Sequence, residues 1–343
     1  MAAPKLLCDT KAMNREHWLE CRLHGPDGSI PYTIGGSDVS TVFGLNPWTT
    51  PLELWRIKKG LMKPDDSVNY WAKEMGHRME PIVAQCYADI SGNTVIEDTG
   101  LYQHADYPFA LANIDYRMME AMREGVLEIK TTTFHKAPDW SDGMVPYYYE
   151  LQCRFYMAVL DLDYADICCM WGFNPETDMA RVRINRDLQI ETDIFARLSE
   201  FVESMDKNIP PTMAEVKPEQ AMEALSKILG KSDKTLPTIE LPRKLEKKVS
   251  SISLLQEEVR EIDRRKRDIQ KQVAAHSVAI AEAMQTHEHG VLEIPGMRYF
   301  IDYITKERKS PDHAKLKKEH PLIYQDVLKS TSSRSVKVKA ETI

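Results

Sequence analysis

The chain has 343 residues, of which 43% are apolar and 28% charged, and its formal net charge is −7. These values suit a globular protein long enough for two domains, and they exclude a uniformly basic DNA-coating protein while leaving a local basic surface open. No apolar run approaches the ~20 residues of a membrane span. The first ten residues lack a signal peptide's apolar core, so a cytoplasmic location is expected. Six cysteines occur without a CxxC pair; reduced, mostly buried thiols are expected rather than a zinc or iron–sulfur centre.

In chain order, residues 13–23 are patterned as an amphipathic helix that carries Trp18, Cys21 and Arg22. A turn-rich stretch follows, and residues 34–39 (IGGSDV) open a new helix with Ser37 or Asp38 as its cap. That helix start is either an ordinary cap or a place for a phosphate, and its sequence alone leaves both open. Another helix covers 50–60, entered through Thr49 or Thr50 and Pro51. Residues 70–91 form a helix with a kink or restart at Pro81, and an apolar stripe of Met75, Met79, Ile82, Val83, Cys86, Tyr87 and Ile90. Glu80 lies beside that stripe and needs a partner, either a base or a metal. Strands are expected at 94–97, 101–103, 110–117 and 125–131. A polar loop containing Trp140 leads to a helix at 146–160, strands at 164–172 and 179–184, and an amphipathic helix at 186–207. This order specifies an α/β fold with a central mixed sheet flanked by helices.

The domain boundary is placed at Pro210-Pro211, giving domains 1–212 and 213–343. In the second, a helix over 241–286 repeats Ile252, Leu255, Val259, Ile262, Ile269, Val273 and Ile280 at alternating spacings of 3 and 4. Lys266 and His276 fall on the same seam, as in a coiled coil or helical hairpin whose partner is 215–229 or another chain. A β-hairpin turning at Pro295-Gly296 follows. Residues 305–339 hold ten Lys or Arg against four acids, a net +6 that reverses the sign of the whole chain. It is either a solvated tail or a DNA-backbone or partner contact.

Residues 126–131 (VLEIKT) carry the chemistry. On a strand, Glu128 and Lys130 share one face while Leu127 and Ile129 take the other. Alone this describes any strand with a solvated face. Glu80 and Asp115 before it and Gln152 after it make up a set suited to phosphodiester hydrolysis. Asp115 and Glu128 would hold Mg²⁺, with the Ile129 carbonyl as a further ligand, and Glu80 would complete that site or help hold a second ion. Lys130 would orient or deprotonate water and stabilise developing charge, with Gln152 aligning Lys130 or the water.

In this order the residues resemble the PD-(D/E)XK nucleases, and within them the lambda-exonuclease-like, YqaJ-type viral recombinase family. The matching segments are Trp18-x-x-x-Arg22, Ile34-Gly35-Gly36-Ser37-Asp38, Gly44-Leu45-Asn46-Pro47-Trp48, Gly76-x-x-x-Glu80-Pro81, Asp115, Leu127-Glu128-Ile129-Lys130, Leu151-Gln152 and Asn185-Arg186-Asp187, covering about residues 13–207. The resemblance implies a restriction-endonuclease-like fold and Mg²⁺-dependent (Mn²⁺ substituting) 5′→3′ digestion of one strand of duplex DNA, with two ions. It further implies a ring-shaped homotrimer, a single-strand annealing partner in phage-type recombination, host cytoplasm as the location, and Arg22, Ser37 and Asn113 as holders of the 5′-terminal phosphate. One step departs from the family pattern: Pro-Asp-Gly is Ile114-Asp115-Tyr116 here. Rival readings are an endonuclease or CRISPR-adaptation-type nuclease of the same superfamily, and a non-catalytic DNA-binding or assembly protein that works through its C-terminal helix.

Overall fold

The structure is a computed structural model that describes residues 3–64, 70–213, 216–230, 232–305 and 312–326. Much of the basic 305–339 window, including Lys306, Arg308, Lys309, Lys329, Arg334, Lys337 and Lys339, lies outside the described residues. The chain divides into two compact units, Met1–Gly230 and Lys231–Ile343. The division falls after helix α7 (Pro218–Leu229) rather than at 212. That helix belongs to the first unit, where Gln220 Nε2 donates to the Asn46 carbonyl at 2.8 Å and Lys227 lies 3.7 Å from Glu53.

The first unit is built on a mixed sheet, as the sequence implied. Strands β3 (Thr94–Glu97), β6 (Tyr116–Glu120), β7 (Arg123–Thr131), β8 (Tyr164–Met170) and β9 (Met179–Asn185) lie side by side in that order. All neighbours are antiparallel except β7 and β8. Parallel neighbours need a long crossover, and α5 (Tyr147–Leu160) supplies it. Strand alternation then decides what β7 offers to each side. Leu127 and Ile129 face a core with Val83, Ala84 and Tyr87 of α4 (Tyr70–Ser91), while Val126 joins a core with Leu151 and Phe155 of α5. Glu128 and Lys130 are in phase with Val126 and therefore lie under α5. Both faces of the sheet are covered, which corrects the simple solvated-strand picture: Glu128 is only 1% exposed.

A second, smaller sheet runs β1 (Lys5–Asp9), β4 (Gly100–Gln103), β5 (Ala110–Ala112) and β2 (Ile34–Gly35). The parallel pairing of β2 with β5 sets Gly35 opposite Leu111, so the start of α2 (Gly36–Val42) lies beside the chain that leads to Asn113 and Asp115. The strand expected over 110–117 is broken into β5 and β6, and Asp115 occupies the break. A continuous strand would have locked that residue into a ladder.

Helix α4 runs through Pro81 as one element, but its stripe is narrower than expected. Val83, Ala84 and Tyr87 are buried, whereas Met75, Ile82 and Ile90 are exposed. Helices α1 (Arg15–His24), α3 (Pro51–Lys58) and α6 (Leu188–Asp206) complete the unit. The capping residues explain two of these starts: Thr50 and Glu53 bond each other's backbone at α3, and Asp187 accepts from Gln189 and Ile190 at α6.

The second unit holds α8 (Glu246–Met284), 39 residues long, and a hairpin of β10 (His289–Ile294) and β11 (Met297–Asp302) turning at Gly296 with φ +82°. The heptad positions Leu255, Val259, Ile262, Ile269, Val273 and Ile280 are exposed.

Candidate active site

A cleft of about 430 Å³ in the first unit is lined by Arg22, Ser37, Glu80, Asn113, Asp115, Glu128, Lys130 and Gln152. The structure thus brings together every side chain expected at the site, while Ile129, expected to act through its carbonyl, is not among the lining residues. Trp18, Gly36, His77, Tyr116 and Tyr156 line it as well.

At one end are the acids. Asp115 Oδ2 accepts from the Ile129 backbone N–H at 3.0 Å, just past the point where β6 has run out as a partner for β7. Glu128 Oε1 accepts from Lys130 Nζ and from Gln152 Nε2, the latter at 2.7 Å. Glu128 Oε2 is buried and has no hydrogen-bond partner. Burial, then the neighbouring charge of Glu128, pushes Asp115 up to about 8. Burial also raises Glu128 against the pull of Lys130. Burial opposes the ammonium of Lys130, but Glu128 and Asp115 outweigh it and hold the group protonated. As a cation Lys130 donates and stabilises negative charge, which favours that part of its expected role over proton abstraction.

The half-buried carboxyl of Asp115, whose charge Glu128 disfavours, and the buried carboxyl of Glu128, with one oxygen unpartnered, fit a divalent cation. The donors are oxygens, as Mg²⁺ requires, and a cation would supply the charge they lack. Among the described residues no three His, Cys, Asp or Glu side chains form a ready-made cage. Glu80 lines the same cleft, with its carboxylate 3.0 Å from His77 Nδ1, one turn earlier on α4. That hydrogen bond, against the effect of partial burial, raises the His77 pKa. The sequence reading missed His77; its i,i+3 spacing from Glu80 was the available signal.

The other end is basic and well satisfied. Arg22 Nη2 donates to Ser37 Oγ at 2.7 Å, and its guanidinium lies 4.9 Å from the centre of the Trp18 ring. Behind it Lys58, 4% exposed, donates to the Arg22 carbonyl at 3.0 Å and pairs with Asp38 at 2.8 Å. Asp38 also accepts from Gly35 N–H at 3.0 Å. Burial works against the Asp38 carboxylate, yet Lys58 and Arg22 hold its pKa below the usual range. Burial lowers that of Lys58 despite Asp38. Asn113 is held by its own bonds, donating to the Gly100 carbonyl at 3.0 Å and accepting from Trp18 Nε1 at 3.4 Å.

The two ends are mechanically joined. Gln152 Nε2 donates to Tyr156 Oη at 2.9 Å as well as to Glu128. The Tyr156 ring packs so closely under Gly36 that any Cβ there would collide with it. This is why a glycine precedes Ser37. Tyr116, where the family pattern has glycine, needs no left-handed backbone: it begins β6 and pairs with Leu127 and Glu97.

Residues 17–163 match the family model of the YqaJ-like viral recombinase domain. Uncharacterized protein YqaJ of Bacillus subtilis (strain 168) is 28% identical over 337 residues, covering 98% of this chain and 97% of its own. Among solved structures, an alkaline exonuclease from Laribacter hongkongensis is similar with a TM-score of 0.46 and 19% identity, covering 62% of this chain and 99% of that one. A phage related exonuclease from Haemophilus somnus 129PT has a TM-score of 0.39 and 14% identity, covering 52% and 95%. Residues 17–163, which carry the cleft side chains named above, are thus similar to the YqaJ-like viral recombinase domain family.

Proposed function

We propose that the protein is a Mg²⁺-dependent DNA exonuclease that resects linear duplex DNA 5′→3′, leaving a 3′ single strand for recombination. The observation that carries this is the acid end of the cleft: the unpartnered Glu128 oxygen beside Asp115, with Lys130 protonated next to them. Asp115 and Glu128 would hold the cation, with the Ile129 carbonyl and Glu80 as further donors, Glu80 through a second ion where two bind. When bound, Mg²⁺ supplies charge to polarise the phosphate and lower the pKa of a water. Lys130, whose ammonium lies on Glu128, would stabilise the developing phosphorane-like charge, and Gln152 holds the Glu128 carboxylate. Arg22, with Ser37 and Asn113 alongside, receives the 5′-terminal phosphate as a charge-assisted hydrogen-bond donor. The family name supports a role in recombination. A homo-oligomeric ring, with trimer the state implied by the resemblance, and a single-strand annealing partner belong to the same proposal.

Incubating the full chain with linear and with covalently closed circular duplex DNA tests this. Linear DNA is lost with Mg²⁺ and survives with chelator, and Lys130→Ala leaves it intact. Cleavage of the closed circle would favour an endonuclease. Tight duplex binding without any Mg²⁺-dependent product would favour a binding protein.

A further inference from the structure

The segment Gly44-Leu45-Asn46-Pro47-Trp48 takes no part in the site above, yet it is firmly built. Leu45 and Asn46 N–H both donate to the Ser40 carbonyl, at 2.9 and 3.2 Å. Asn46 Oδ1 accepts from the N–H groups of Trp48 and Thr49, at 2.8 and 3.0 Å, and its carbonyl is held by Gln220. The next residue, Thr50, caps α3. A loop tied at every step holds out a tryptophan that remains 52% exposed. Leaving so large an apolar ring in water gives up a stabilising burial that a loop this well braced could have made.

The direction in which the ring leads is the second observation. Trp48 meets Tyr148 edge to face, with centroids 5.6 Å apart at 86°. Tyr148 lies against Tyr149 at 4.4 Å, and the ammonium of Lys130 sits 5.1 Å from the centre of the Tyr149 ring. Buried Trp140 stacks on Tyr149 at 5.7 Å and 30°, which backs the row with a fixed ring. An aromatic ridge therefore runs from the protonated lysine of the acid end to an open indole. Asp139, whose charge acts on Tyr148, is 3.6 Å from Lys136. An aliphatic peptide would need a groove around Trp48; a flat π-face needs only another flat face, and a chain carrying such faces at intervals beside phosphodiesters is a nucleic acid.

We propose that Trp48, braced by Tyr148 and Tyr149, is a stacking platform for one unpaired nucleobase of the strand whose phosphodiester lies at Lys130. This rests on the nuclease reading and deepens it: the base must leave its stack in the duplex to lie on the indole, so the platform captures the strand as it separates.

The test uses the full chain in chelator, so that no strand is cut. Fluorescence anisotropy reports binding of labelled single-stranded oligonucleotides carrying one abasic nucleotide at successive positions. Trp48→Ala is expected to weaken binding of the intact oligonucleotide about 10-fold, and Trp48→Phe, which keeps a ring, about 2- to 3-fold. One abasic position should cost the wild type a similar factor and cost Trp48→Ala nothing further, since the two changes remove the same contact. Thermal melting checks that both variants fold. Unchanged binding by Trp48→Ala, losses that add at every abasic position, or a change in oligomer mass with binding intact would overturn the platform. Digestion in Mg²⁺ is measured in parallel. Wild-type protein that stacks the base yet never digests DNA would count against the nuclease reading and not against the platform.

Discussion

The two ends of the cleft are opposites in how their charge is managed. At the basic end Arg22 is bonded to Ser37, lies against Trp18 and is backed by the Asp38–Lys58 pair, so each group has a partner before any ligand arrives. At the acid end Asp115 is pushed toward its neutral form and Glu128 Oε2 lacks a partner. A finished site of the first kind selects among ligands by shape and charge. An unfinished site of the second kind is completed by what binds there, since a buried unpaired carboxylate is costly until a cation joins it. On the proposed reading, chemistry falls to the acid end and substrate choice to the basic end.

The sharpest way to break the contrast is to remove the acid end. Glu128→Ala or Lys130→Ala should lower digestion of linear duplex DNA by about 1,000-fold or more while DNA binding and far-ultraviolet circular dichroism stay close to wild type. A loss shared equally by binding would make the residues structural.

A second effect follows from Asp115. Its folded pKa, about 8, lies above its unfolded value, so the stability it contributes is full below about pH 4 and is lost as the pH rises through about 8. Glu128, also raised, acts in the same direction. In chelator, denaturant unfolding should therefore show a stability loss of at least about 1 kcal/mol between pH 5 and pH 9 that Asp115→Asn reduces. Mg²⁺ at pH 8 should restore it by binding the folded form. A flat profile in chelator would mean that the acid end is not frustrated.

The basic end should respond more mildly and more selectively. Arg22→Ala is expected to slow digestion from 5′-phosphorylated ends about 10- to 100-fold and from 5′-hydroxyl ends much less. Ser37→Ala, which removes one neutral hydroxyl, should slow it only about 2- to 10-fold. Equal losses on both kinds of end would remove Arg22 from phosphate recognition.

What the sequence disclosed was set by how local the physics is. The period-2 pattern of residues 126–131 put Glu128 and Lys130 together, and they do touch. The amphipathic helices α5 and α6 and the hairpin turn at Pro295-Gly296 were readable because each signal sits within one element. The break at Asp115 was not readable, since Ile114 and Tyr116 are as strand-compatible as their neighbours; it is made by the switch from one sheet to the other. Strand β1 was missed because its partner among the described residues, β4, lies about 90 residues on. Nothing in the pattern of residues 146–160 sets Tyr156 apart from the other aromatic residues of that helix. Its role of joining Gly36 to Gln152 depends on helix α5 crossing under α2, which no local pattern encodes. The Asp38–Lys58 pair was hidden for a similar reason: a lysine at the end of α3 gives no sign that it will be buried.

The central claim, that the acid end cuts while the basic end selects a 5′-phosphorylated terminus, is tested most directly by one digestion. Linear duplexes labelled on one strand or the other, with and without a 5′ phosphate, are incubated with the full chain and Mg²⁺ and resolved by length. The expected result is progressive loss of the strand bearing the 5′ phosphate, an intact complementary 3′ strand, and slower digestion from 5′-hydroxyl ends. Equal loss of both strands, or equal rates with and without the phosphate, would contradict it.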